Sequence, residues 1–155
     1  MDGAEIREMS VRDAGAVEGV ARETWADAYA GIIPEDTQRA FLERAYSAAS
    51  LARRMEEGVF LVAESDGEVV GFADFSQGPG AVKLAAIYVR PEAQGRGLGT
   101  RLLLAGLERF PRAERVTAQV EQENLAARRF YEARGLSRPP GGRRRCSATS
   151  FAPWS

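Results

Sequence analysis

The segment VKLAAIYVRPEAQGRGLGTRLL, residues 82–103, constrains this chain more than any other. Its first eight residues are mostly apolar and read as a central strand, and Pro91, which has no N–H to give to a ladder, ends it. Gly95, Gly97 and Gly99 follow, and leucines at 98, 102, 103, 104 and 107 with Phe110 then mark a broad apolar helix face over residues 98–110. A buried strand, a glycine turn and an amphipathic helix in direct succession belong to a mixed α/β architecture. Glycines at the turn let backbone N–H groups come close to an anion, and the new helix adds unpaired amides of its own. The segment reads as a pyrophosphate cradle, although the spacing alone also suits an ordinary glycine-rich turn.

The rest of the chain supplies a frame around this unit. VFLVAES at 59–65 and EVVGFADF at 68–75 flank Asp66-Gly67, which predicts a β-hairpin. Residues 4–10 read as an edge strand, and Asp13 is placed to cap a helix running to residue 29 whose Val17, Val20, Ala21, Trp25 and Ala28 form one core-facing stripe. Pro34 suits the first turn of a second helix, and residues 50–57 predict a third. Apolar residues on both faces of the strand at 82–89 predict burial on both sides. RVTAQV at 115–120 alternates as a strand, and residues 125–135 predict a helix stopped at Gly135. PPGG at 139–142 marks a turn, after which residues 145–151 either add one strand or stay disordered. No internal repeat or linker divides the 155 residues, so residues 4–155 are expected to form a single domain, with residues 137–155 an atypical, shortened C-terminal part.

Composition excludes several function classes. The 21 basic and 22 acidic residues give a formal charge of −1, which argues against a general polyanion binder; seven arginines against one glutamate from Asn124 onward still offer a local field for an anionic ligand. A nucleic-acid module would rest on Arg143, Arg144 and Arg145 alone, without an aromatic stacking pattern. Cys146 is the only cysteine and there is no histidine, so no structural zinc site and no intrachain disulfide are expected. The start of the sequence lacks a basic region followed by an apolar run, and nowhere do 18 apolar residues stand together. These features predict a cytoplasmic protein without a membrane partner.

Gln94-Gly95-Arg96-Gly97-Leu98-Gly99 lacks the Gly-Lys-Ser/Thr ending of a P-loop and the glycine order of a dinucleotide site. It closely resembles the Gln/Arg-x-x-Gly-x-Gly/Ala signature of the GNAT superfamily of N-acetyltransferases. The resemblance extends upstream through Val89-Arg90-Pro91 and downstream to Asn124, Ala127, Phe130, Tyr131, Gly135 and Leu136, and TWADAYAGIIPED at 24–36 resembles the family's first helical region. It implies a mostly antiparallel mixed sheet flanked by helices, with a splayed strand pair where acetyl-coenzyme A binds, and no metal. Ile87, Tyr88 and Val89 would then offer backbone groups to pantetheine. The amides of Gln94, Gly95, Arg96, Gly97, Leu98, Gly99 and Thr100 would hold the pyrophosphate, with the Gln94 and Arg96 side chains assisting. Asn124 would cap the following helix, touch the coenzyme, or both, and Arg128 or Arg129 would meet a phosphate.

The implied reaction is acetyl transfer to a primary amine, with Tyr131 protonating the departing thiolate and the N–H near Val89 stabilising the oxyanion. Cys146 has no histidine to activate it as a nucleophile. The general base is open: many relatives place a glutamate near Lys83, and Asp74 or Glu121 could act through water. Trp25 and Tyr29, four residues apart, either line the acceptor entrance or pack a helical face. A small-molecule amine is the expected acceptor. A protein or peptide amino terminus and a non-catalytic coenzyme-A-binding regulatory role stay open as alternatives, as does a homodimer that completes the shortened sheet edge.

Overall fold

In the computed structural model, residues 3–78, 80–121, 125–134 and 145–151 are described. Among the described residues six strands and five α-helices follow one another in this order: β1 (Glu5–Glu8), α1 (Ala14–Ala28), α2 (Glu35–Ala45), α3 (Ala48–Glu57), β2 (Val59–Ser65), β3 (Glu68–Gln77), β4 (Ala81–Val89), α4 (Leu98–Leu107), β5 (Arg115–Glu121), α5 (Leu125–Ala133) and β6 (Arg145–Phe151). The strands form one sheet in the order β1-β2-β3-β4-β5-β6, antiparallel throughout except for the parallel pair β4–β5. A parallel pair needs a crossover, and α4 provides it. This is the expected mixed, mostly antiparallel sheet flanked by helices, and residues 145–151 add one strand beside β5. Among the described residues no helix is long and apolar enough to cross a membrane.

The hairpin forms where the sequence placed it. Asp66 and Gly67 both have positive φ, 52° and 80°, the conformation that matches a two-residue turn to the twist of its strands. Alternation along β2 and β3 then divides the core between the two faces of the sheet. On one face Leu61, Ala73, Phe75, Val82 and Leu84 pack against Leu102, Leu103 and Leu107 of α4 and Tyr131 of α5. On the other, Val62, Phe72 and Ala86 meet Val17, Val20 and Ala21 of α1, Leu42 of α2 and Leu51 of α3. Each fully buried leucine or phenylalanine contributes about 2 kcal/mol through removal from water. Phe75 sits at the tightest point: a Cβ on Gly106 would overlap its ring, and a Cβ on Gly58 would overlap its carbonyl oxygen.

Four local expectations are corrected. Asp13 does not cap α1 through its side chain. It is buried and accepts from Arg7 Nη1 at 2.8 Å, Arg7 Nη2 at 3.1 Å and the Ser10 backbone at 2.8 Å, because a carboxylate withdrawn from water must be paired. Pro34 stands one residue before α2, where its carbonyl accepts from Gln38 N–H at 3.0 Å. The third helix starts at Ala48, two residues early, since the Ser47 hydroxyl accepts from Ser50 N–H at 3.1 Å. β4 is not buried on both faces: Lys83 and Ala85 are exposed, because one face of the strand is left uncovered there. Gly135 and the turn at 139–142 lie outside the described residues.

Arg7 holds the Asp13 carboxyl at about 2, below the usual carboxylate range, with burial opposing it. A depressed pKa stabilises the fold above the ordinary value of about 3.9, and the contribution fades as pH falls toward 2. Asp13→Asn is therefore expected to cost about 2 kcal/mol at pH 7. Urea unfolding should show the gap to wild type closing between about pH 4 and pH 2.

Candidate active site

The site opens where β4 and β5 part. Their pairing runs from Ala81↔Arg115 to Leu84↔Ala118 and stops, although the strands continue to Val89 and Glu121. On its other side β4 stays paired with β3, with a register shift that pairs Asp74 with Ala86 and Phe75 with Leu84, leaving Ala85 as a bulge at the mouth of the opening. Arg90 N–H donates to the Val70 carbonyl at 2.8 Å. Antiparallel alternation then directs the backbone groups of Tyr88 and Ala86 to β3, and those of Ile87 and Val89 away from β3 into the opening. The splay therefore exposes two peptide units of a central strand. Lys83 and Ala85 are exposed on the face of β4 opposite Val82 and Leu84.

The glycine turn forms one end of the opening. Gly95 and Gly97 take φ of 83° and 76°, left-handed values that side chains disfavour, and a Cβ on either would meet nothing within 4 Å. Conformation demands these two glycines, and the space above them is clear. Gly97 is the N-cap of α4, whose first internal bond runs from Arg101 N–H to the Gly97 carbonyl at 3.0 Å. The amides of Leu98, Gly99 and Thr100 precede that bond and have no partner within the helix. Gly99 differs from its neighbours, since a Cβ there would lie 2.8 Å from the Phe130 ring, so its role is close packing of α4 on α5. Gln94 Nε2 donates to the Val89 carbonyl at 2.9 Å, which ties the turn to the end of β4. Arg96 is exposed and the Leu98 side chain is buried. Asn124 lies outside the described residues.

Between turn and helices lies a cavity of about 870 Å³. Ile87, Tyr88 and Val89 line its middle together with Tyr131, which α5 carries in from the opposite side. Tyr131 is buried, and desolvation, helped by Tyr29, pushes its hydroxyl above the usual phenol range. It therefore stays protonated at neutral pH and can donate. Trp25, Tyr29 and Phe41 form the far wall: Trp25 meets Tyr29 edge-on at 4.8 Å, stacks on Phe41 at 4.7 Å, and donates from Nε1 to the Tyr88 hydroxyl at 2.9 Å. Trp25 and Tyr29 thus pack as an aromatic cluster, and that cluster is part of the cavity wall.

Of the base candidates, Lys83 lines the cavity and Asp74 does not. Asp74 is buried against Arg54, whose Nε lies 2.7 Å away. Burial pushes its carboxyl up and Arg54 opposes the shift, so Asp74 serves as counter-ion to Arg54. The Glu121 side chain is outside the described part.

Arg54 and Arg134, both on the cavity wall, were missed by sequence reasoning. Arg54 stacks 4.7 Å from the Tyr46 ring centroid and pairs 20 residues along the chain, which leaves no local pattern. Arg134 follows Phe130 by one helical turn, the single signal that could have revealed it. Its guanidinium lies 3.9 Å from the Phe130 centroid and donates from Nε to Thr100 Oγ1 at 2.8 Å, fastening α5 to the first turn of α4. Arg134→Met should lose about 1–2 kcal/mol of stability in urea unfolding, the sum of a charged hydrogen bond and a cation–π contact; a loss under about 0.3 kcal/mol would deny the fastening.

The model of the Acetyltransferase (GNAT) family matches residues 18–136. A spermidine N(1)-acetyltransferase of Thermoplasma acidophilum is 30% identical over 106 residues, covering 64% of this chain and 66% of that protein, just under two thirds of its length. An uncharacterised N-acetyltransferase of Lactobacillus delbrueckii subsp. lactis is 30% identical over 151 residues, covering 89% of this chain and 87% of that protein. The crystal structure of PaiA N-acetyltransferase from Thermoplasma acidophilum in complex with coenzyme A shares the fold, with a TM-score of 0.90 at 24% identity over 96% of this chain and 99% of that one.

Proposed function

This chain belongs to the acetyltransferase (GNAT) family, and from that premise we propose that it acts as one N-acetyltransferase domain, moving an acetyl group from acetyl-coenzyme A to the primary amine of a small molecule. The observation that carries the reading is the convergence on one cavity of a parted strand pair, a helix N-terminus with clear space over its glycines, and a buried, protonated tyrosine.

The residues fit the coenzyme. The free amides of Leu98, Gly99 and Thr100, with the turn from Gln94 to Gly97, suit a pyrophosphate, since a helix N-terminus favours anions. The outward backbone groups of Ile87 and the Val89 N–H suit an amide-containing chain laid along β4, the Val89 carbonyl being held by Gln94. When bound, the coenzyme supplies a thioester: the amine nitrogen bonds to the acetyl carbon, the carbon–sulfur bond breaks, the amine gives up one proton and the sulfur receives one. Tyr131 holds the proton for the sulfur. The Val89 N–H, fixed in a sheet strand, is placed to stabilise negative charge on the carbonyl oxygen. Trp25, Tyr29 and Phe41 give the cavity an apolar wall against which a small acceptor would rest.

Calorimetry with coenzyme A and a thiol-release assay with acetyl-coenzyme A over a panel of amines test the reading. One coenzyme per chain and amine-dependent thiol release are expected. Binding without release on any amine would replace the transferase by a coenzyme-binding regulatory protein.

A further inference from the structure

The cavity joins the two faces of the sheet. Ile87 and Val89 pack with the cluster built by α4 and α5, whereas Ala86 and Tyr88 pack with the one built by α1, α2 and α3. Residues of both clusters line the cavity, which therefore runs through the gap where β4 and β5 part. The turn and helix end suited to a pyrophosphate belong to the α4 side, so the side of α1 and α2 is left for the acceptor.

What that side offers is aromatic. Trp25 and Phe41 stack at 4.7 Å with their planes 18° apart, and Tyr29 meets Trp25 edge-on. The Trp25 Nε1–H is already given to the Tyr88 hydroxyl at 2.9 Å, so the wall presents ring surface and no spare indole donor. Phe41 is the open member, 36% exposed, and an apolar ligand resting on it would take that surface out of water. Ala28 and Ala45, about one turn along their helices from Trp25 and Phe41, line the cavity with little bulk. The wall also stands close to the chemistry. Tyr88, hydrogen-bonded to Trp25, is the residue before Val89 on β4, and Tyr29 adds to the burial that raises the Tyr131 hydroxyl. A ring on the wall and a nitrogen at the gap are separated by little more than the Tyr88 side chain, which a short alkyl tether spans.

A polycation suits this wall less well. An aromatic cage turns several ring faces toward one ammonium, while the faces of Trp25 and Phe41 are turned on each other. Asp27 is the only carboxylate among the described wall residues, so every ammonium of a polyamine would depend on that one acid, beside the cations Arg54, Lys83 and Arg134.

Resting on the acetyl-transfer reading above, we propose that the acceptor is an arylalkyl primary amine, a flat ring joined to the nitrogen by a short tether, and that Phe41 selects it by stacking. The acceptor class departs from the polycation in the archaeal relative's name.

The test measures thiol release from acetyl-coenzyme A with 2-phenylethylamine, its saturated counterpart 2-cyclohexylethylamine, hexylamine and spermidine, each kcat/KM being referred to the free amine. The wild-type protein should prefer the aromatic to the saturated ring by about fivefold, the scale of an aromatic pair beyond its apolar area. It should prefer the aromatic amine to spermidine by about tenfold or more. In Phe41→Leu, which keeps apolar bulk at a partly exposed position, the aromatic-to-saturated ratio should fall to about one, chiefly through KM. Phe41→Tyr should restore most of it, a rescue that a merely structural role would not give. Wild-type preference for spermidine, hexylamine or the saturated ring, or a ratio that survives in Phe41→Leu, overturns the proposal while the transfer reading stands. Coenzyme binding with no release on any amine overturns the transfer reading, and the acceptor class with it.

Discussion

Tyr131→Phe is expected to lower the rate of acetyl transfer about a hundredfold or more while changing coenzyme affinity by less than about threefold, the usual signature of losing a positioned acid. The ring is part of the core under α5 and the substitution keeps it, so neither fold nor cavity shape should respond. Only the hydroxyl goes, and burial keeps that hydroxyl protonated at neutral pH. Its raised pKa also predicts that the basic limb of the pH–rate profile below pH 10 does not come from Tyr131, because ionisation of this group is pushed beyond the ordinary phenol range. Single-turnover rapid mixing separates the chemical step from product release. Tyr88→Phe is the informative companion, since Tyr88 lines the same cavity and its hydroxyl already accepts a hydrogen bond from Trp25. A large loss in Tyr88→Phe with none in Tyr131→Phe would move the acid role from one tyrosine to the other.

Gly97→Val should weaken coenzyme binding by about a hundredfold, and the structure separates two reasons for it. The left-handed φ of 76° is costly for a β-branched residue, on the order of 1–3 kcal/mol. The clear space over Gly97 is where the proposed pyrophosphate would approach, and a branched side chain would fill it. Gly97→Asn divides these terms, because asparagine tolerates the left-handed region with little loss of stability. It should keep the wild-type unfolding free energy within about 1 kcal/mol and still lose about tenfold in affinity by calorimetry. Affinity equal to wild type in a folded Gly97→Val protein would remove the turn from the binding site.

Much of this architecture was legible because the signals are local. Asp66-Gly67 between two alternating runs fixes the hairpin by turn geometry alone, and the order strand, glycine turn, leucine-striped helix places the site at the N-terminus of α4. The motif also located Tyr131 on a helix that reaches the same cavity. What stayed hidden depends on residues far apart in the chain. Nothing near Asp74 announces Arg54, and nothing near Asp13 favours Arg7 over a helix cap; each pair exists because two elements bury their charges together. The exposure of Lys83 and Ala85 was misread for a related reason. Strand hydrophobicity cannot tell whether a helix covers each face along the whole strand, and one face of β4 is left open at Lys83 and Ala85. Gly99 was read like Gly97 as a residue that lets the backbone approach a ligand, and the position of Phe130 adds a packing demand on it that no local pattern carries.

Phe75 and the two glycines pressed against it have a consequence for how this sequence can drift. Any side chain at Gly106 must displace the ring, and any at Gly58 must displace the strand, while a smaller residue at 75 leaves a void between α4 and the sheet that costs several kcal/mol, about 3–5 for Phe→Ala. Each single replacement thus passes through a damaged protein, and the viable routes are paired exchanges in which a smaller residue at 75 arrives with a larger one at 106. Among descendants of this chain these positions should therefore change together or stand still, and a variant library randomised at Phe75 and Gly106 jointly should recover folded proteins that neither single-site library contains.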